Sequence, residues 1–189
     1  HEVDALSRAL GEARQIDDVP EPSPLFWEHM ARRVQEATLA LLKSKKFAEL
    51  ERRVNGFLSA YTSSRVSDEE LFYEFGACDR SLPALTPVIH EWIEHYPSSH
   101  AAHQAMALHM SAVAWRMRGT GFASETSAHQ MDSFHAGLRA AQNWAARAAA
   151  LHPQPILSFQ QMVANANALR VDSQLLTKLS LSSSTAAPT

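Results

Sequence analysis

The sequence is poor in the residues that build strands, disulfides and membrane spans. It has 6 glycines and 1 cysteine among 189 residues, and β-branched residues are sparse beside alanine and leucine, so a fold based on strands and hairpins is disfavoured. The lone Cys78 excludes an internal disulfide and a thiolate metal centre. No stretch of about 18 apolar residues occurs, so we expect no transmembrane helix.

An excess of basic charge is also missing. The chain carries 17 basic and 20 acidic residues, for a formal net charge of -3. Nucleic-acid binding needs basic residues that neutralise phosphates, and membrane-surface binding needs a basic amphipathic helix. We therefore expect no nucleic-acid partner and no membrane partner. A single cysteine fits a reducing compartment, so we expect a cytoplasmic protein, although a start at His1 instead of methionine leaves open whether a leader was removed.

What the sequence does have is helical periodicity, which is clearest over residues 100–118. Ser99 precedes this stretch as a potential cap, no breaker interrupts it for about five turns, and Gly119 follows it. Apolar residues cover most of its circumference and leave a narrow polar stripe of His103, Ser111 and Arg118. This pattern predicts a helix inside a helical array, with neighbours on at least two sides.

Similar apolar spacing recurs along most of the chain and predicts an all-α fold of antiparallel helical hairpins. Two capping boxes, Ser67 with Glu70 and Ser127 with Gln130, mark helix starts. The predicted helices are 25–45, 47–61, one from Ser67, one from Ser81 and Pro83, 100–118, one from Ser127, and 156–169. The predicted divisions are an N-terminal helix and proline-rich loop (1–24), a helical-hairpin domain (25–170), and a weak helix with a flexible tail (171–189).

Two segments resemble a known repeat. Residues 92–97 (WIEHYP) and 148–153 (AAALHP) resemble the junction between tetratricopeptide repeats, where a proline separates one hairpin from the next. They lie 56 positions apart instead of about 34, which makes the array irregular. More specifically, the stretch 115–126 with its insert Arg118-Gly119-Thr120-Gly121 resembles a bacterial family of tetratricopeptide-like domains of unknown function, over residues 47–169. The resemblance implies an all-α, tetratricopeptide-like fold and a bacterial origin, and it supplies no catalytic residues.

Ten histidines raise the question of a metal site. His100 and His103 share a helix face, as ligands would, yet zinc needs three or four convergent ligands and no carboxylate lies one turn away. His90 and His95 resemble the histidine pair of a zinc-protease helix, but their spacing of five residues instead of four points the rings about 140° apart. We therefore predict no metal, no cofactor and no catalytic residue.

Other potential motifs are better explained by structure. Cys78 lies at the end of an apolar helix face, which is typical of packing. The segment 119–121 lacks the third glycine of a dinucleotide loop and the lysine of a phosphate loop, so it predicts a helix stop. Trp92, Trp115 and Trp144 lie on apolar stripes, and we predict core positions for all three.

Polar surfaces remain as the candidates for partner binding. The first combines the polar stripe of the central helix with polar residues of a later helix, and its members are His103, Ser111, Arg118, Gln161 and Asn165. The second is an acidic edge, and its members are Asp68, Glu69, Glu70 and Glu74. Stacked hairpins would place the first in a concave groove, and the second would attract a basic partner. Solvation alone also accounts for a polar stripe, and helix N-termini favour acidic residues without any partner.

These observations favour a non-enzymatic protein-binding module. The most concrete hypothesis is a bacterial immunity or adaptor protein that binds and neutralises a secreted toxin, as a monomer or a weak homo-oligomer. It rests on small size, mild acidity, a scaffold suited to protein contact, and the lack of a catalytic constellation. Two alternatives stay open, a metal-dependent hydrolase that uses the His100 and His103 region, and a self-associating scaffold protein.

Overall fold

Seven helices make up the described part of the chain. A computed structural model describes the backbone of residues 24–121, 125–152 and 156–184, and the side chains of residues 31–121, 125–152 and 156–170. The helices are α1 (Pro24–Lys43), α2 (Phe47–Thr62), α3 (Asp68–Phe75), α4 (Leu85–His95), α5 (His100–Arg118), α6 (Ala128–Ala150) and α7 (Ile156–Ser184). No strand occurs in these ranges, and the predicted all-α fold is confirmed. The predicted first helix and the proline-rich segment that follows it lie outside the described residues.

Side-chain caps fix where two of the helices begin. Ser67 Oγ accepts a hydrogen bond from the Glu70 amide, and the Glu70 carboxylate accepts one from the Ser67 amide at 2.7 Å. Ser127 and Gln130 form the same reciprocal pair at the start of α6. Each pair satisfies amides that have no partner within the first turn of a helix. Both predicted capping boxes are confirmed.

The central helix α5 begins and ends where the sequence predicts. Ser99 Oγ accepts a hydrogen bond from the Ala102 amide at 3.1 Å. Gly119 ends the helix with a φ of 83°, a conformation in which any larger residue would be strained. The predicted helix stop at this glycine is therefore confirmed.

Two helix boundaries differ from the prediction. α4 begins at Leu85 instead of at Ser81 or Pro83, because a turn precedes it, in which the Leu85 amide donates to the Leu82 carbonyl at 2.9 Å. α7 continues to Ser184 without the break predicted near residue 171. The reason is that no glycine or proline lies between residues 156 and 184, so nothing interrupts the helical backbone.

The helices α1 to α4 and the first part of α5 enclose the larger of two apolar clusters. α1 and α2 form an antiparallel hairpin, in which Arg53 Nε lies 2.9 Å from Thr38 Oγ1, and α3 packs against both helices. The side chains that are fully buried in this cluster include Leu42, Leu50, Leu71, Leu85, Ile89 and Trp92. This cluster is the main hydrophobic core of the described part.

α5 and α6 form the most extensive helix pair in the described part. They run antiparallel, since Ala148 lies beside His100 and Gly137 lies beside Ala114. A Cβ atom on Gly137 would lie 2.7 Å from the Ala114 Cβ, so this glycine permits a close approach of the two backbones. The second, smaller cluster is built on Ala114, Phe134 and Leu138. It lies at the end of the pair where Ala114 contacts Gly137.

α5 also contacts α4 and α7, so it has neighbours on three sides. The residues from 101 to 109 are buried without exception. The prediction of a central helix inside a helical array is confirmed. Among the described helices, none combines the length and the apolar character that crossing a bilayer requires.

Candidate protein-interaction surface

Three residues predicted for a groove meet at the seam between α5 and α7. Ser111 Oγ donates a hydrogen bond to Asn165 Oδ1 at 3.2 Å. Gln161 Nε2 donates to Ser111 Oγ at 3.0 Å and to Asn165 Oδ1 at 2.9 Å. The two helices run parallel here. Ser111 and Gln161, whose side chains meet in this seam, are 50 positions apart in sequence.

This seam is not an exposed surface. Ser111 and Asn165 are buried, and Gln161 is half-buried. The predicted exposure of Ser111 and Asn165 is therefore wrong, because α7 packs directly on the side of α5 where a solvated groove was expected. A buried polar cluster of this kind joins two helices in one fixed register. A role of these three residues in partner binding stays a prediction.

A second polar contact in the same seam is not predicted by the sequence pattern. Gln104 is fully buried, and its Oε1 accepts a hydrogen bond from Ser158 Oγ at 2.6 Å. The seam borders a groove of about 160 Å³, whose lining residues are Phe72, Leu108, Leu157, Gln160, Gln161 and Ala164. The sequence contains a signal for this contact. Gln104 lies within an apolar helix face, and a buried polar side chain needs a hydrogen-bond partner there.

His103, the remaining buried member of the predicted stripe, lies beside His100 at the start of α5. Nδ1 of His103 donates to the Ser99 carbonyl and Nδ1 of His100 donates to the Ala148 carbonyl, both at 2.8 Å. Burial lowers the pKa of His100 to about 4, although the hydrogen bond to Ala148 raises it. The predicted exposure of His103 is wrong because its ring packs 5.6 Å from the Trp144 ring, on α6.

The histidines do not assemble into a metal site within the described residues. No group of three or more histidine, cysteine, aspartate or glutamate side chains is arranged there to hold an ion. His109, for example, makes hydrogen bonds within the protein instead. Its Nδ1 donates to the Arg80 carbonyl at 2.9 Å and its Nε2 accepts from the Thr86 hydroxyl at 2.8 Å. This histidine ties the turn before α4 to the central helix.

Glu74, a member of the predicted acidic edge, lies inside the protein. Its carboxylate accepts hydrogen bonds from Arg53 at 2.8 and 3.0 Å and from the Thr38 hydroxyl at 2.6 Å. Burial raises the pKa of Glu74, and Arg53 and Thr38 offset only part of this rise. The prediction of Glu74 as a surface acid is wrong, because helical spacing places it on the buried face with Leu71 and Phe75.

The rest of the acidic edge lies at the start of α3. Asp68 and Glu69 are exposed, and Glu70 is half-buried in the capping box. Glu69 also accepts a hydrogen bond from the Tyr73 hydroxyl. The exposed acidic surface is therefore smaller than predicted, and a role of these residues in binding stays a prediction.

The tryptophans divide between the core and the surface. Trp92 is buried, as predicted, and donates a hydrogen bond from Nε1 to Glu51 at 2.7 Å. Trp144 is half-buried, and the Arg147 guanidinium lies 4.7 Å from its ring centre. Trp115 is 47% exposed, so its predicted core position is wrong. It lies in the last turn of α5, where residues 115–117 are all exposed.

Three large apolar side chains, of which Trp115 is one, are exposed in or near the last turn of α5. Met117 is 49% exposed and Leu82 is 38% exposed. Leu82 is held at this end because Arg116 donates a hydrogen bond to the carbonyl of its neighbour Ser81 at 2.6 Å. We call Trp115 and the adjoining Arg118 the arginine–tryptophan surface.

Arg118 is the one predicted binding residue that the structure places on this surface. It is half-buried, and its guanidinium carbon lies 5.6 Å from the ring centre of Trp115 and 5.9 Å from that of Phe134. The rings of Trp115 and Phe134 lie 4.8 Å apart. A signal for Trp115 existed in the sequence, since two arginines, Arg116 and Arg118, lie between it and the helix stop at Gly119.

Cys78 offers no reactive thiol. It is buried in the larger apolar cluster, and burial raises its pKa to about 12. Because the thiolate is the reactive form of cysteine, a thiol with this pKa is inert at neutral pH. The predicted packing role of Cys78 is confirmed by its burial.

Comparisons with known proteins identify a family without assigning a site. No curated protein and no solved structure matches the chain significantly. One family model, described as "Domain of unknown function (DUF4034)", matches residues 33–188. This range includes most of α1 and all of the helices from α2 to α7. The chain therefore belongs to the DUF4034 family.

Proposed function

We propose that the chain is a non-enzymatic protein-binding module that contacts its partner through the arginine–tryptophan surface. The observation that supports the proposal is the exposure of Trp115, which lies in the last turn of a helix that is otherwise largely buried. Tryptophan and arginine are enriched among the residues that dominate the binding energy of protein interfaces.

In this proposal the hairpins form an irregular tetratricopeptide-like array, a scaffold that holds its surface side chains in fixed positions for contact with a protein. The most concrete partner is a secreted bacterial toxin, which the chain neutralises as an immunity or adaptor protein. The net charge of -3 on the chain supports a toxin as the partner, because an acidic protein is attracted to a basic toxin domain.

Affinity capture from a lysate of the source organism, followed by mass spectrometry, tests the proposal. The variants are Trp115→Ala and the matched control Leu151→Ala. Leu151 is a large exposed apolar residue as well, but it follows the C-terminal end of α6, at the opposite end of the α5–α6 pair. Circular dichroism establishes that both variants are folded before capture.

We expect one protein to co-purify in stoichiometric amount with the wild type and with Leu151→Ala. Capture by Trp115→Ala should fall about tenfold or more, which corresponds to about 1.4 kcal/mol of binding energy. Equal capture by all three proteins, or no capture at low salt, contradicts the proposal. Light scattering tests the alternative of a self-associating scaffold. A dimer of the wild type that Trp115→Ala converts to a monomer would support that alternative.

A further inference from the structure

Arg118 is held in a fixed orientation on the arginine–tryptophan surface. Its guanidinium lies over two aromatic rings, those of Trp115 and Phe134. Contacts between a cation and ring faces are attractive, and they restrict the rotation of a long side chain. Because the guanidinium is already oriented, it loses less conformational entropy when it binds a ligand.

The hydrogen-bonding capacity of Arg118 is unused within the described part of the chain. The contacts of its guanidinium there are with aromatic rings, and no hydrogen bond or ion pair joins it to a described residue. Arg116 differs, because it donates to the Ser81 carbonyl at 2.6 Å. Arginine presents five N–H donors in a planar fork, and this fork matches the two oxygens of a carboxylate.

We infer that Arg118 and Trp115 together recognise a carboxylate that lies beside an apolar side chain on the partner protein. The inference rests on the proposed function and adds the chemistry of the partner. The carboxylate accepts two N–H groups of Arg118, and the apolar side chain packs on the exposed face of Trp115. The partner segment therefore carries aspartate or glutamate next to a large apolar residue.

The charge of the site favours a carboxylate over a phosphate. Arg118 has no carboxylate partner among the described residues, and its single positive charge matches the single negative charge of a carboxylate. A phosphorylated residue carries nearly two negative charges at neutral pH and favours a second cation. Arg116 does not supply it, because residues two apart on a helix do not face each other, and its side chain reaches Ser81 instead. The rings of Trp115 and Phe134 add an apolar surrounding, in which an ionic hydrogen bond is stronger than in water.

Two peptides that differ by one charge test this inference. The probes are N-acetyl-Phe-Asp-Phe amide and N-acetyl-Phe-Asn-Phe amide, which have the same shape and the same apolar residues. Each is titrated into nitrogen-labelled full-length protein, and NMR follows the indole N–H of Trp115 and the Nε–H of Arg118. The variants are Arg118→Gln and the control Arg139→Gln, which replaces an exposed arginine of α6.

We expect the aspartate peptide to bind about fivefold more tightly than the asparagine peptide, as a charge-assisted hydrogen bond on a partly exposed surface would give. The preference should disappear in Arg118→Gln and persist in Arg139→Gln. Equal binding of the two peptides, binding of neither up to the solubility limit, or a preference that survives in Arg118→Gln overturns the inference.

The same variants separate the inference from the proposed function on which it rests. If lysate capture depends on Trp115 but is unchanged in Arg118→Gln, the carboxylate inference fails and the protein-binding function stands. If capture is independent of Trp115 as well, the proposed function fails too. Loss of capture in both variants, together with the aspartate preference, supports both.

Discussion

At the scale of single residues, a buried histidine makes stability depend on pH, and His100 is the clearest case. Its pKa is lowered from 6.5 to about 4 by burial, so the unfolded chain binds a proton more tightly than the folded chain. The contribution of neutral His100 to stability is complete above pH 6.5 and is lost as the pH falls from 6.5 through 4. Its upper limit is about 3 kcal/mol.

We therefore expect the free energy of unfolding to fall more steeply between pH 6.5 and 4 in the wild type than in His100→Asn. Asparagine keeps an N–H donor for the Ala148 carbonyl, which His100 contacts at 2.8 Å, but has no proton to gain in this range. Urea unfolding followed by circular dichroism at pH 7, 5.5 and 4.5 measures the difference. If the free energy of unfolding depends on pH equally in the two proteins, His100 is not the source of that dependence.

Single residues were predicted well where their partners are close in sequence, and poorly where they are distant. Ser67 and Ser127 were assigned to caps because the cap, its amide and the reciprocal side chain span four residues. Ser111 was assigned to a solvated stripe because its partners Gln161 and Asn165 come from another helix. Helical spacing shows which residues share a face, but it does not show what covers that face.

At the scale of the helices, the α5–α6 pair depends on a contact that the sequence pattern does not reveal. We expect Gly137→Ala to destabilise the protein by about 1–3 kcal/mol, because the added Cβ meets the Ala114 Cβ at 2.7 Å. Gly56→Ala is the matched control, since Gly56 lies inside α2 with no atom within 4 Å of an added Cβ.

The control variant should gain about 0.5–1 kcal/mol, the usual difference between alanine and glycine within a helix. Thermal unfolding measures both variants, and 1 kcal/mol corresponds to a shift of about 2–4 °C for a chain of this size. An unchanged or raised melting temperature for Gly137→Ala would show that the two backbones separate without cost.

Most helices were predictable because their apolar spacing, caps and breakers are local properties. The start of α4 was missed because a proline and a serine suggest a helix start, whereas a backbone turn ends at Leu85. The continuity of α7 was missed because its later residues have a weaker apolar pattern, although no breaker interrupts them. Which helix packs on which face required the structure, since such contacts join residues that are far apart in sequence.

At the scale of the whole molecule, the two apolar clusters differ in size. The larger one includes residues of α1 to α5 and α7, while the smaller one is built on Ala114, Phe134 and Leu138 at the far end of the α5–α6 pair. Local opening costs less free energy where fewer apolar contacts must be broken. The arginine–tryptophan surface lies at the end with the smaller cluster, since Trp115 contacts Phe134.

We expect the backbone amides of residues 131–138 to exchange with solvent at least about tenfold faster than those of residues 101–108. Hydrogen exchange followed by mass spectrometry measures both segments in one experiment. Both lie within helices, so the comparison isolates the effect of packing. Equal exchange rates would mean that the molecule opens as a single cooperative unit.

The candidate surface itself was only half predicted. Arg118 was selected because it is polar on a largely apolar helix, whereas Trp115 was assigned to the core because it shares the apolar spacing of its helix. An exposed tryptophan and a buried one produce the same periodicity, so only the positions of the neighbouring helices distinguish them. The residue on which the proposed binding depends is therefore one that the sequence pattern alone does not place.

The burial of Cys78 has a practical consequence for studying this surface. The chain has no other cysteine, and Cys78 is buried with a pKa of about 12, so maleimide dyes leave the native protein unlabelled. A cysteine introduced at Leu82 or Met117 then becomes the single attachment point for a fluorophore or a spin label, without prior removal of the native thiol.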